Sequence, residues 1–301
     1  MLGYYSVRFI SWIVCRLPLC MQKGLADALG SLAVRFCPEW RLEMAKANIQ
    51  ECLGVDKTTS GKIAEDSLRR FGRMVVEFLR FPLLTKANVL DLVDVEGWEY
   101  LEEAVAGGKG AVLASGHFGN WELFGATVAL RGFPLVSIAR HQNNGAMNRL
   151  VNEYREMVGQ KIAYNRGENN FIKIVRLLKQ KHFIGVLYDQ DTNDIGVKLE
   201  IFGKSCIVPD GAAALGRIGR APIIPMFIHN GEWGKSKIKI YPPIYCQGKE
   251  DYPRVMHILV DVLEQEIRED PSMWFWVHDR WKDGHQRFDK EYDIHKHGHH
   301  P

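Results

Sequence analysis

His117 and Glu122, with four residues between them in the segment SGHFGNWE (115–122), follow directly on the apolar run GAVLAS (110–115). An imidazole beside a carboxylate is the pairing that fixes a histidine tautomer and raises its basicity. Glu122 falls in the first turn of a helix expected over 120–132, so its carboxylate is placed to reach back and orient the ring. No G-x-S-x-G segment supplies a serine nucleophile anywhere in the chain. The chemistry this points to is general-base catalysis: His117 takes the proton of a substrate hydroxyl, which then attacks an activated carbonyl. The N-terminus of the following helix favours developing negative charge. A bare H-x4-E spacing recurs by chance. Its weight here comes from the order strand, Gly116, His117, Gly119, helix, because ligands of open α/β sheets bind beyond the carboxyl ends of strands.

The elements that must position this pair are legible as alternating patterns. Short apolar runs occur at VDVEG, GAVLAS, PLVSIA, HFIGVLYD, APIIPMFIH and KIKIYPPI. Amphipathic helices are expected between most of them, at 97–107, 120–132, 144–158, 168–181, 210–219 and 252–269. That alternation predicts an α/β fold with a largely parallel central sheet flanked by helices. Residues 1–90 read as helical, with one helix stopped at Gly54 and another starting at Ser60 and ending at Pro82. The expected organisation is a hydrophobic and basic helical segment over 1–40, an α/β domain over 41–290 and a solvated His-rich tail over 291–301.

Composition bounds the partners. The 301 residues carry a net charge of +3 with no basic run interleaved with aromatics, so nucleic acid is not an expected partner. The six cysteines form no C-x-x-C pair and are expected as reduced thiols on the cytosolic side. Near the N-terminus, Arg8, Arg16, Lys23 and Arg35 stand against a single acid, Asp27, with Tyr4, Tyr5 and Trp12 beside the basic residues. The longest uncharged run there, Phe9 to Cys15, is far short of the roughly 20 residues of a simple span. An interfacial helix with arginines reaching lipid headgroups is preferred over a buried core helix, and a tilted span stays open.

These blocks resemble, in order over residues 35–282, the late acyltransferases of lipid A biosynthesis within the lysophospholipid acyltransferase superfamily. SGHFGNWE is similar to their H-x4-D/E block. ARHQNNGAMNRLVNEYREMVG (139–159), NRGE (165–168), VLYDQDTNDIGVKLEIFGK (186–204), APIIPMFIH and WFWVHDRWK (274–282) resemble their later blocks. The resemblance implies acyl transfer from an acyl-carrier-protein thioester to a hydroxyl of a lipid A precursor, with His117 as base and Glu122 as its partner. It implies no metal, no cofactor and no covalent acyl-enzyme, and association with membrane lipids on the cytoplasmic face of the inner membrane.

Further site residues follow from the phosphorylated glycolipid acceptor that the resemblance implies. Arg140, closing PLVSIA, and Arg166, in the turn after KIAY, are expected to grip phosphate in bidentate fashion. Asn120 either caps the helix or positions substrate, the cap being preferred. Arg155 is evenly balanced between binding and an ion pair. Asp189 and Asp191 are expected to order the following loop or contact sugar, and Phe202 and Gly203 to lie near the acyl chain. Lys204 is a weaker phosphate contact, and Lys179 and Lys181 face an acidic carrier or only solvent. Trp274 and Trp276 are expected in the core, with His278 and Arg280 open. The segments GEWGKS and FGKS fail as phosphate loops, having His229 and Lys198 where glycine is required. The rival readings are a different lipid acceptor, a lipid-binding protein without turnover, and a metallohydrolase built on His117, Asp189 and Asp191.

Overall fold

The computed structural model describes residues 2–139, 144–164, 168–190 and 196–281. Arg140, Arg166, Asp191 and the 291–301 tail lie outside them. Four long helices come first: α1 (Leu2–Val14), α2 (Leu19–Phe36), α3 (Glu39–Leu53) and α4 (Lys57–Leu79). Gly54 ends α3 in the left-handed conformation, as the sequence predicts. α4 begins earlier than the Ser60 start expected. The Asp56 carboxylate accepts from the backbone of Thr58 and Thr59, and so caps the orphan N–H groups before Ser60 is reached.

A short α5 (Val89–Leu92) leads into the alternating part: β1 (Val93–Glu96), α6 (Trp98–Ala106), β2 (Val112–Ser115), α7 (Trp121–Leu130), β3 (Leu135–Ala139), α8 (Gly145–Met157), β4 (Lys161–Tyr164), α9 (Glu168–Lys179) and β5 (Phe183–Leu187). A hairpin of β6 (Val197–Ile201) and β7 (Lys204–Val208) follows, then α10 (Gly211–Gly219), β8 (Ile223–Asn230), β9 (Ser236–Ile240) and α11 (Tyr252–Glu269). The main sheet has seven strands in the order β1-β9-β8-β2-β5-β3-β4. β8, β2, β5, β3 and β4 run parallel, while β9 returns antiparallel to β8 and carries β1 with it. The sheet is thus largely parallel, as expected. β4 and the β6–β7 hairpin are additions to the strands read from sequence, because their half-exposed runs KIAY and VKLEI carry polar residues at alternate places.

Alternation along β2 divides the core. Val112 and Ala114 face the layer of α9, α10 and α11, and Leu113 faces α6 and α7. α7 has a second apolar side, formed by Ala126 and Leu130, which packs on α1 and α8 through Tyr4, Leu150, Tyr154 and Val158. Every residue from Leu123 to Leu130 is therefore buried, which explains a helix with no charge after Glu122.

The first two helices are docked on this body and also expose apolar side chains. On α1 the Ser11 hydroxyl donates to Leu79 O at 2.6 Å, and Arg8 and Tyr4 both bond Glu153 of α8. The opposite side leaves Tyr5, Phe9, Ile10, Trp12 and Ile13 exposed, and α2 exposes Leu19, Met21, Leu32 and Phe36. The Arg16 guanidinium lies 3.9 Å from the Trp12 ring centre. Among the described residues no helix is long and apolar enough to cross a membrane.

α2 and α4 meet backbone to backbone. A Cβ on Gly72 would stand 2.3 Å from Gly30 N and 2.6 Å from Ala26 O, neither of which can swing aside. Gly72→Ala is therefore expected to cost about 1–3 kcal/mol through overpacking. Urea unfolding monitored by circular dichroism measures this, and an unchanged midpoint would mean the helices separate freely.

Candidate active site

The register of the sheet decides who meets His117. Ser115 of β2 pairs with Leu187 of β5. Two residues beyond that rung, at the carboxyl ends of both strands, stand His117 and Asp189. His117 Nδ1 lies 2.6 Å from Asp189 Oδ1, and the His117 backbone N–H donates to Asp189 Oδ2 at 2.9 Å. Asp189 thus holds both the ring and the main chain of the histidine.

Asp189 is itself 2% exposed and surrounded by donors. Trp274 Nε1 and Arg280 Nη2 each donate to Oδ2 at 2.9 Å, and Arg280 Nε donates to the Asp189 carbonyl at 2.8 Å. The buried Arg280 guanidinium also lies 3.7 Å from the Trp274 ring centre. Burial alone would push the Asp189 carboxyl up. The charges of His117 and Arg280, with the bonds from His117, outweigh it and hold the group well below the usual carboxylate range. An ionised Asp189 accepts the proton on Nδ1, so in the neutral ring Nε2 carries the lone pair of a base.

Gly119 makes the close approach possible. Its φ is +57, and a Cβ there would stand 1.9 Å from Ile228 O of the neighbouring strand β8. The loop is tied on its other side to the segment after α11, by Gly119 N to Met273 O at 2.9 Å and Phe275 N to His117 O at 3.1 Å. The Trp121 ring meets the imidazole edge-on at 5.1 Å, and the Gln190 amide nitrogen lies 3.1 Å from His117 Nε2.

Glu122 is placed differently from the expectation. Both of its oxygens are taken by Arg155 of α8, Oε2 from Nε at 2.9 Å and Oε1 from Nη2 at 2.6 Å. Burial pulls the Arg155 pKa down, but the bond and charge of Glu122 raise it above its ordinary value. Glu122 rises from the first turn of a helix and turns toward the next helix, whereas the imidazole turns toward the adjacent strand. Proximity in sequence misidentified the carboxylate. The same geometry makes Arg155 an ion-pair partner.

The remaining expected residues separate by contact. Asn120 is fully buried. Its Oδ1 caps α7 by accepting from Leu123 N at 3.0 Å, and its Nδ2 donates to Glu77 Oε2 at 2.7 Å. Gly203, with φ +72, forms the β6–β7 turn together with Phe202 at φ +54. The Phe202 ring lies 6.5 Å from that of Trp274 and 6.3 Å from that of Trp276, and both tryptophans are buried as expected. Lys204 bonds Asn48 at 2.9 Å and also pairs with Glu51. Sequence reasoning missed Gln190 as part of the site and left Arg280 open. The signals available were the adjacency of Gln190 to Asp189 and the arginine inside WFWVHDRW.

The model of the bacterial lipid A biosynthesis acyltransferases matches residues 1–283. The chain belongs to that family. Among the relatives of this acyltransferase, a lipid A biosynthesis palmitoleoyltransferase of Escherichia coli is 24% identical over 281 residues, covering 91% of this chain and 89% of the relative. A phosphatidylinositol mannoside acyltransferase of Mycobacterium tuberculosis is 25% identical over 280 residues, covering 85% and 87%. One of the same description from Mycolicibacterium smegmatis is 24% identical over 286 residues, covering 93% and 90%.

Two outcomes follow for this family member. Asp189→Asn turns a donor toward Nδ1 and moves the ring proton to Nε2, so turnover near pH 7 is expected to fall about 10³–10⁴-fold. Steady-state acyl transfer measures it, and a loss below tenfold would break the link between Asp189 and the tautomer. The depressed carboxyl of Asp189 stabilises the fold fully above its unfolded value of about 3.9, and that contribution is lost as pH falls through the lower native value. The stability gap between wild type and Asp189→Asn, about 3–5 kcal/mol at neutral pH for an orphaned buried charge, should therefore narrow below about pH 4 in denaturant titrations.

Proposed function

We propose that the protein transfers a fatty acyl chain from an acyl-carrier-protein thioester to a hydroxyl of a lipid A precursor, a secondary acylation step of lipopolysaccharide biosynthesis. The observation that carries this reading is the ring of His117, fixed at Nδ1 by a buried ionised carboxylate inside a chain that matches an acyltransferase family along its length. Nε2 takes the proton of the acceptor hydroxyl. Its oxygen forms the new C–O bond, the thioester C–S bond breaks, and the proton passes from Nε2 to the leaving sulfur. Glu122 is a positioning residue in this proposal, bracing α7 against α8 through Arg155. Arg140 and Arg166 are the proposed contacts to acceptor phosphate.

A second acceptor has specific support. The mycobacterial relatives named phosphatidylinositol mannoside acyltransferases match as well as the enterobacterial one. The two acceptors share sugar hydroxyls and phosphate. Purified protein should be offered labelled acyl-carrier protein or acyl coenzyme A with each lipid, and the products read by mass spectrometry. An acylated lipid A precursor is expected, abolished about 10²–10⁴-fold by His117→Ala. Acylation of the mannoside alone would move the assignment to that acceptor, and thioester hydrolysis without transfer to either would end it.

The exposed sides of α1 and α2 are the proposed seat of the enzyme on the cytoplasmic face of the inner membrane. Phe9, Trp12 and Phe36 would enter the lipid while Arg16 and Lys23 meet anionic headgroups. Replacing Phe9 and Trp12 together by Glu is expected to weaken flotation with anionic vesicles at least about tenfold, since two buried aromatic contacts are lost. Turnover on a detergent-dispersed acceptor should stay near wild type. Unchanged flotation would remove this surface from the proposal.

A further inference from the structure

Resting on that reading, we infer that the side-chain amide of Gln190 is a catalytic donor that stabilises the oxyanion of the tetrahedral intermediate. With Nδ1–H given to Asp189, His117 Nε2 is an acceptor, and the amide nitrogen of Gln190 at 3.1 Å donates to it. That nitrogen stands where the acceptor hydroxyl must come, because a base needs its substrate proton within about 2.6–3.2 Å. The arriving hydroxyl displaces the amide from Nε2. The attacked carbonyl carbon then lies about 3–3.5 Å from that hydroxyl, so its oxygen develops charge within a short swing of the displaced N–H.

Three main-chain donors around the loop are already engaged. Oxyanions of acyl transfer are often met by main-chain N–H groups. Here the N–H of His117 is bound to Asp189, that of Gly119 to Met273 O, and that of Leu123 to Asn120. The Gln190 backbone follows directly on a carbonyl clamped by Arg280, so the amide pivots from a fixed point on a side chain with three rotatable bonds. When the hydroxyl oxygen adds, the carbonyl π pair moves onto oxygen and Gln190 donates to it. When the pair returns, the C–S bond breaks, Nε2 gives its proton to the leaving sulfur, and the amide then resumes its place on the freed Nε2 lone pair.

The test compares Gln190→Met, similar in length but without a donor, and Gln190→Ala with His117→Ala in one acyl-transfer assay. Unfolding midpoints and the Nδ1–H proton resonance of His117 are recorded alongside. A kcat loss of about 10²–10³-fold is expected in both Gln190 variants, with both KM values within about threefold and the His117 resonance retained. Wild-type or higher kcat, or a loss confined to KM, would overturn the oxyanion role and leave Gln190 a mere cap on the base. Either variant that keeps the wild-type midpoint decides. His117→Ala separates the two levels: if it is inactive while the Gln190 variants are normal, only this inference fails. If it retains activity, the general-base reading itself fails.

Discussion

A carboxylate with no access to water is the constraint around which this molecule is arranged. Removing Asp189 from solvent is unfavourable unless its oxygens are met by charge and by donors, and four groups meet them: the His117 ring, the His117 main chain, Trp274 and Arg280. They come from two parts of the chain. The histidine arrives on β2. The tryptophan and arginine arrive on the segment after α11, which lies alongside the His117 loop. That segment is fixed in turn by α3 and α4, through Arg41 to the Val277 carbonyl, Ser67 to the Trp274 carbonyl and Arg70 to Asp270 and Ser272. The N-terminal helices thereby support the backbone that carries the donors.

A second polar layer stands beside the first. Glu77 of α4 takes Arg73 and Asn120, and Asn120 caps α7, so the helix that starts four residues after the histidine is fixed at its origin. Glu122 and Arg155 fix its outer side. On the other flank, buried Glu266 of α11 is held by His229 of β8 and by Tyr241, with Lys239 at 3.6 Å. Burial favours the neutral acid there, yet the bonds from His229 and Tyr241 and nearby positive charge keep its pKa below the ordinary value. These networks of ion pairs and hydrogen bonds link α4 to α7, α7 to α8, and α11 to β8 and β9, and they specify one arrangement of helices around the carboxyl ends of the strands.

The exposed apolar sides of α1 and α2 belong to the same assembly. α1 is held to α8 by Tyr4 and Arg8, and α8 carries the arginine that holds Glu122. A lipid surface met by α1 would thus lie one helix away from the layer that positions α7. In the proposed reaction, acceptor and enzyme share that surface, which turns a search in three dimensions into one in two.

Much of this architecture was already legible in the chain. Alternating apolar runs and amphipathic helices mark the parallel sheet, Gly54 marks a helix end, and the order strand, glycine, histidine, glycine, helix marks the loop that carries His117 beyond the end of β2. These features are local, set by periodicity and backbone conformation within a few residues. The partner of His117 is not of that kind. Glu122 is near in sequence, but its helix carries it to Arg155; Asp189 is 72 residues distant and is brought in by the pairing of β2 with β5. Arg280 reaches the site only because the segment after α11 folds back along the His117 loop. Strand order and register select which of several carboxylates meets the imidazole, and they depend on the burial of every strand at once, which only the folded chain determines.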